Sequence, residues 1–185
     1  PAPHLVHRLD AETTGILIIS KTHKSAKFFS ELFKNQTIKK SYLAIVDGVL
    51  NDKNGTLKNE LKYIENDNEK IHLSITNYEV ISETKDYSLL LLNPETGRKH
   101  QLRKQLLMHG YPILGDSKYR ISDKFIKNKD HLCLHAYKIN FSISDTKYNF
   151  LAEPPLSFKK ILKEPDNSLI KQYKALLKTE NVDLD

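Results

Sequence analysis

Residues 4–20 read HLVHRLDAETTGILIIS: an apolar stretch at His4–Leu9, a polar turn at Asp10–Thr14, and a second apolar stretch at Gly15–Ser20. Both apolar pieces are strand-sized, and the turn between them is made of Asp, Glu and Thr. Downstream, Thr22 is a helix N-cap, and Ala26, Phe29, Leu32 and Phe33 recur at helical spacing, which predicts an amphipathic helix ending near Asn35. Ser41–Val46 is a strand stopped by Asp47-Gly48, and polar stretches around residues 51–55 and 65–70 flank Leu57–Ile64, predicting a surface hairpin. Tyr78–Ile81 and Tyr87–Leu92 read as strands. Arg98–His109 reads as a helix with Leu102, Leu106 and Leu107 on one side and Gly110 as its stop. Two late strands, His131–Phe141 and Tyr148–Ala152, precede a terminal helix at Leu169–Leu177. Strands outnumber helices and come in consecutive groups, so the expected class is α+β, with a mixed, largely antiparallel sheet and flanking helices. At 185 residues, with neither an internal repeat nor a linker, residues 1–185 are expected to form a single domain.

The net charge of +6 points to a polyanionic partner. No strongly basic amphipathic helix is visible, and the longest apolar run, Leu89–Leu92, is far short of the roughly 20 residues that span a bilayer, so no membrane partner is expected. The lone Cys133, between Leu132 and Leu134, reads as a small buried hydrophobe and suits a reducing cytoplasm.

The chain spends its special residues unevenly. Of its 29 basic residues only four are arginine, and three of those, Arg8, Arg98 and Arg103, fall in two segments, His4–Gly15 and Thr96–Asp116. Four of the six glycines and four of the eight histidines fall there too. Arginine kept where lysine is otherwise chosen indicates a need for its planar, two-pronged donor geometry, so the two segments are expected to meet and form a site. His4, His7 and Asp10 share a three-residue spacing, but residues three apart on a strand face opposite ways, so no metal is expected.

The first segment, HRLDAETTG at residues 7–15, resembles the catalytic motif of the RluA-type pseudouridine synthases, with Thr14 where serine is usual. TGRKHQLR at residues 96–103 and GYPILGD at 110–116 resemble a second family motif, KSYLAIVDG at 40–48 a third, and Leu134-His135-Ala136 a fourth. Together the motifs cover most of residues 4–152, in the family's order. The run from Pro112 to Tyr119 taken with the Leu134-His135-Ala136 strand looks most like the RluC-like branch, which modifies large-subunit ribosomal RNA.

The resemblance implies a pseudouridine synthase fold and isomerisation of uridine in RNA, with no cofactor. It implies that Asp10 is the key carboxylate, attacking C1′ or removing the 2′ proton. It also implies that Arg103 is Asp10's ion-pair partner, and that Tyr42 stacks on the target base, with removal of the C5 proton as a further task. Arg103 would stand beside the apolar helix face of Leu102 and Leu106, although a surface arginine with its stem over the core is the plainer alternative. Arg8 would fill the gap left by an everted base, or else pair with Glu12 or a phosphate. His7, itself more a structural residue, joins Arg8, Lys40, Arg98, His100, Gln101 and Leu134 as expected RNA contacts, with Leu134 closing the pocket. Lysines from Lys21 to Lys40, with Lys118, Arg120 and Lys124, could line an RNA path. Lys99 and Gln105 depart from the family pattern, which implies altered substrate contacts. The family's leading strands and the S4 RNA-binding domain that many members carry are not seen ahead of residue 4, so an N-terminally truncated catalytic domain is expected. The chain is expected to be a cytoplasmic monomer. Alternatives are a transfer RNA target, a non-catalytic RNA-binding module, and a nuclease using paired histidines.

Overall fold

A computed structural model describes residues 2–65, 67–121 and 131–162. Among the described residues nine strands and three helices follow in the order β1(His4–Leu5), β2(Thr14–Gly15), β3(Ile19–Ser20), α1(His23–Lys34), β4(Lys39–Asp47), β5(Asn54–Glu65), β6(Asn68–Glu83), β7(Tyr87–Pro94), α2(Gln101–Met108), β8(Leu134–Ile143), β9(Thr146–Leu151) and α3(Leu156–Leu162). The α+β class expected from the sequence holds. The main sheet runs β2-β8-β4-β7-β6-β5, with β9 also on β8. All of its pairings are antiparallel except β2 on β8.

The sheet's centre explains its own sequence. Leu43, Ala44, Ile45 and Val46 of β4 and Leu89, Leu90 and Leu92 of β7 are wholly buried, so these strands carry continuous apolar runs rather than alternation. Leu102 and Leu106 of α2 pack into the same core, each burial contributing about 1.5–3 kcal/mol. Ile38, Ile139 and Phe141 form a second cluster against Phe29, Leu32 and Phe33 of α1. The Thr22 cap forms as expected: its hydroxyl accepts from the Ser25 amide at 3.2 Å while Ser25 Oγ reaches back to the Thr22 amide.

Several element boundaries differ from expectation. Of His4–Leu9 only His4–Leu5 is paired, antiparallel to Ile19–Ser20. Gly15–Ser20 is not one strand: Thr14 and Gly15 run parallel to His135 and Ala136, which leaves Ile16 to Leu17 to turn toward β3. The helix expected from Arg98 begins at Gln101, because His100 adopts a left-handed backbone (φ 54°, ψ 26°) that no helix can contain. The hairpin is far longer than Leu57–Ile64, since β5 and β6 pair from Asn54↔Glu79 to Glu65↔Asn68 and absorb the expected Tyr78–Ile81 strand. Leu169–Leu177 and Lys124 lie outside the described residues.

Candidate active site

The catalytic-loop candidate, residues 9–14, hangs between two short pairings. Its far end is pinned to β8 by Thr14 and Gly15. Thr14 Oγ1 lies 2.8 Å from His135 Nδ1, and His135 Nε2 lies 2.9 Å from the Ala152 carbonyl. A carbonyl only accepts, so the ring hydrogen sits on Nε2 and Thr14 donates to Nδ1. Burial holds His135 below the usual histidine range, against the opposing pull of that carbonyl, which keeps it in this neutral form. Gly15 has φ 111°, and a Cβ there would meet the Ala136 carbonyl oxygen at 2.2 Å. Backbone must touch backbone here, which is why the turn ends in glycine.

On the near side, the Ile18 amide donates to His7 Nε2 at 2.8 Å, and the His7 ring stacks on Phe33 at 4.5 Å. Burial, with the Lys40 ammonium second, pushes His7 down to about 4, so it is a neutral acceptor at pH 7. Its polar work is directed at the protein itself.

Between these anchors Asp10 keeps its carboxylate 18% exposed at the wall of a cavity of about 950 Å³. Its own carbonyl accepts from the Thr13 amide at 3.0 Å, closing the turn. Oδ2 lies 3.5 Å from Arg103 Nη1, and Oδ1 lies 3.5 Å from His100 Nε2. The two sequence segments therefore do meet.

Arg103 is only 4% exposed, and its tightest partner is one the sequence reading did not assign. Nε and Nη2 donate to the two oxygens of Asp116, each at 2.7 Å. Asp116 Oδ1 also accepts from the amides of Lys118 and Tyr119. Burial alone would raise the Asp116 carboxyl, but the guanidinium and the two amides outweigh it and hold it below the usual range. The Asp116 hydrogen bond likewise raises Arg103, so the pair stays ionised. With the fork taken, Asp10 meets the remaining edge of the guanidinium. Glu12, considered as a partner for Arg8, stands 3.7 Å from Arg103 Nη2 instead. Tyr119 completes the cluster: its ring lies 5.1 Å from the guanidinium and its hydroxyl 2.9 Å from His100 Nδ1. The Gly115-Asp116-Ser117-Lys118-Tyr119 run signals only the tight turn, in which the Asp carboxylate caps amides two and three residues on; nothing in it marks the approach of Arg103.

Tyr42, within β4, pairs opposite Leu92 and lines the same cavity. Burial, with the Asp10 charge second, pushes its phenol up to about 12, so it is protonated at pH 7. A ring in that state can stack on a base or donate a hydrogen bond. Lys40, two residues earlier on β4, also lines the cavity, its ammonium 5.9 Å from the Phe33 ring and facing Gly97. Burial lowers its pKa. Arg8 and Arg98 are exposed at the cavity rim, and buried Leu134 forms part of its wall.

Two glutamines look inward. Gln101 uses both ends of its amide on the protein: Oε1 accepts from Thr96 Oγ1 and the Arg98 amide, and Nε2 donates to the Ile75 carbonyl and Thr76 Oγ1. Gln105, expected to alter substrate contacts, is fully buried under the hairpin instead. Its Nε2 donates to the Leu57 and Ser74 carbonyls and its Oε1 accepts from Thr76 Oγ1. Among the described residues no helix is long and apolar enough to cross a membrane.

Residues 1–108 match the family described as RNA pseudouridylate synthase. The Buchnera aphidicola subsp. Baizongia pistaciae protein named ribosomal large subunit pseudouridine synthase C is 40% identical over 176 residues, covering 86% of this chain and 55% of that protein. The Borreliella burgdorferi protein named ribosomal large subunit pseudouridine synthase D is 35% identical over 164 residues, 84% of this chain and 50% of that one. A Haemophilus ducreyi protein named tRNA pseudouridine synthase C is 33% identical over 162 residues, covering 74% of this chain and 65% of its own length. The chain thus spans about half the length of the curated ribosomal relatives it matches. Among solved structures, human RNA pseudouridylate synthase domain containing 4 superposes with a TM-score of 0.75 at 27% identity, over 86% of this chain and 74% of that one.

Proposed function

Since the chain belongs to the RNA pseudouridylate synthase family, and to its RluA type, we propose that it isomerises uridine to pseudouridine in RNA, with large-subunit ribosomal RNA as substrate. The observation that carries this reading is the largely buried Asp10 carboxylate, bordering a cavity of about 950 Å³ with room for a nucleotide and its neighbours and touching a guanidinium already fixed by Asp116.

The reaction breaks N1–C1′, turns the base, and joins C5 to C1′, with one proton leaving C5 and one arriving at N1. Atoms and electrons balance within the nucleotide, so the chemistry calls for no redox partner. Asp10 is the anion that either attacks C1′ or takes the 2′ proton. Arg103 sets a positive charge 3.5 Å from that anion, in place as a base settles over it and excludes water. Tyr42 supplies a flat protonated ring for the base. A stacked uridine must first leave its helix, at a cost of a few kcal/mol, and Arg8 at the rim is positioned to occupy the vacated space. Lys40 and Arg98 add positive charge along the route of the backbone. The working form is taken to be a cytoplasmic monomer.

The test is tritium release from RNA labelled at uridine C5. Ribosomal transcripts should release tritium and lose that release with Asp10→Asn. Release from transfer RNA alone would move the substrate, and cleavage of the RNA without release would replace the reaction with a nuclease's.

A further inference from the structure

The two oxygens of Asp10 have different neighbours. Arg103 Nη1 serves Oδ2, and His100 Nε2 faces Oδ1, both at 3.5 Å. Behind His100, Nδ1 lies 2.9 Å from the Tyr119 hydroxyl. A neutral imidazole carries one hydrogen, and what each nitrogen faces decides where it sits. With the hydrogen on Nδ1, the Nε2 lone pair would point at a carboxylate, and the phenol would have to act as acceptor. With the hydrogen on Nε2, the phenol donates to Nδ1 and Nε2–H points at Oδ1, so every contact is attractive.

Resting on the isomerase reading above, we propose that His100 is a positioning residue for Asp10, its Nε2–H holding Oδ1, and that Tyr119 selects the tautomer that makes this possible. Oδ2 is then held by Arg103, so each oxygen of the reacting carboxylate has one N–H and the carboxylate plane is fixed from both ends.

Three further features fit. His100 precedes α2 in a left-handed backbone and makes no side-chain capping bond to that helix. Tyr119 is itself fixed, since its amide donates to Asp116 Oδ1 at 2.8 Å and its ring lies beside the Arg103 guanidinium, so one residue braces both of Asp10's partners. Burial first, then the charges of Arg103, Lys118 and Lys99, hold His100 below its usual range despite Asp10, which favours the neutral ring. Contacts of 3.5 Å are long, as is common in substrate-free sites, where such bonds tighten once substrate closes the pocket.

Nitrogen-15 NMR of the free chain tests the tautomer without RNA. His100 should show an unprotonated Nδ1 and a protonated Nε2 at pH 7, with the two tautomers mixing in Tyr119→Phe and in Asp10→Asn. Single-turnover rates at saturating RNA test the role. Tyr119→Phe, which keeps the ring on Arg103, should slow the step roughly three- to tenfold with RNA affinity unchanged, and His100→Asn, which tolerates the left-handed backbone but is too short to reach Asp10, should slow it roughly ten- to a hundredfold. A hydrogen on Nδ1, or a His100→Asn chain turning over at the parental rate, overturns the proposal. If no RNA is isomerised by the parent chain, the isomerase reading fails, and the NMR arm still decides which tautomer His100 holds and whether Asp10 sets it.

Discussion

Replacing Asp116 by Asn removes one charge while leaving shape nearly intact, and the surroundings of Arg103 set the size of the effect. The Arg103 and Asp116 side chains are 5% and 0% exposed and share two 2.7 Å hydrogen bonds. An Asn at this position still offers an oxygen to the Lys118 and Tyr119 amides, so the turn has no reason to open. What is lost is the counter-charge, and breaking a buried pair in this way costs about 3–5 kcal/mol. At about 2–4 °C per kcal/mol for a chain of this size, the melting temperature should fall by roughly 6–20 °C. Asp10→Asn is the control. Its carboxylate is 18% exposed and 3.5 Å from Arg103, a pair worth about 0–1 kcal/mol, so the melting temperature should move by no more than roughly 4 °C while activity disappears. Thermal melts followed by circular dichroism on both variants decide the matter. An Asp116→Asn chain that melts with the parent, or an Asp10→Asn chain that is the less stable of the two, refutes the assignment of Asp116 as the structural partner and Asp10 as the functional one.

Three further outcomes are expected. His7, pushed down to about 4 from 6.5, binds fewer protons folded than unfolded between those values, so its contribution is present above pH 6.5 and lost as pH falls toward 4; after discounting for partial exposure this is about 1–2 kcal/mol. Urea melts at pH 7 and 4.5 should show a smaller pH difference in His7→Gln, which keeps the acceptor for the Ile18 amide without titrating. Gly15→Ala sets a methyl 2.2 Å from the Ala136 carbonyl oxygen at φ 111°, a clash and backbone strain together worth at least about 2 kcal/mol; a parental melting temperature would contradict it. Tyr42→Phe keeps a ring for stacking, so RNA affinity by filter binding should hold while turnover falls, and unchanged turnover would reduce Tyr42 to a packing residue.

Asp10 and Arg103 are legible in the sequence through the resemblance of their segments to family motifs. What the residues add is that an arginine beside Leu102 and Leu106 on an apolar helix face is out of place as a solvated charge; the buried partner it finds is Asp116. The same reasoning placed the continuous apolar strands β4 and β7, whose burial on both sides leaves no alternation to misread. It stopped where burial is satisfied by hydrogen bonds rather than by apolar area. In β6 the Thr76 hydroxyl and the Ser74 carbonyl bond the buried glutamines of α2, while Ile71 and Leu73 face outward, so the inward face of the strand is polar and its first half lies outside the expected Tyr78–Ile81 strand. Asp116 was hidden similarly: its role depends on Arg103 approaching from α2, thirteen residues earlier, a geometry that spacing along a loop does not encode. The left-handed turn at His100 lies beyond any helical periodicity, and it is what delivers the imidazole to the carboxylate.

The parallel docking of Thr14–Gly15 on His135–Ala136 joins residues 121 positions apart. During synthesis the N-terminal loop therefore leaves the ribosome long before the ledge it rests on, and at about 5–20 residues per second it waits several seconds to half a minute for that ledge to emerge. The turn that carries Asp10 is therefore set late, after the strand that holds it has been made. Hydrogen exchange on ribosome-stalled chains should find the amide of Ile16, which donates to the Ala136 carbonyl, unprotected until the segment through Ala152 is free, and early protection there would show that the loop can set without its ledge.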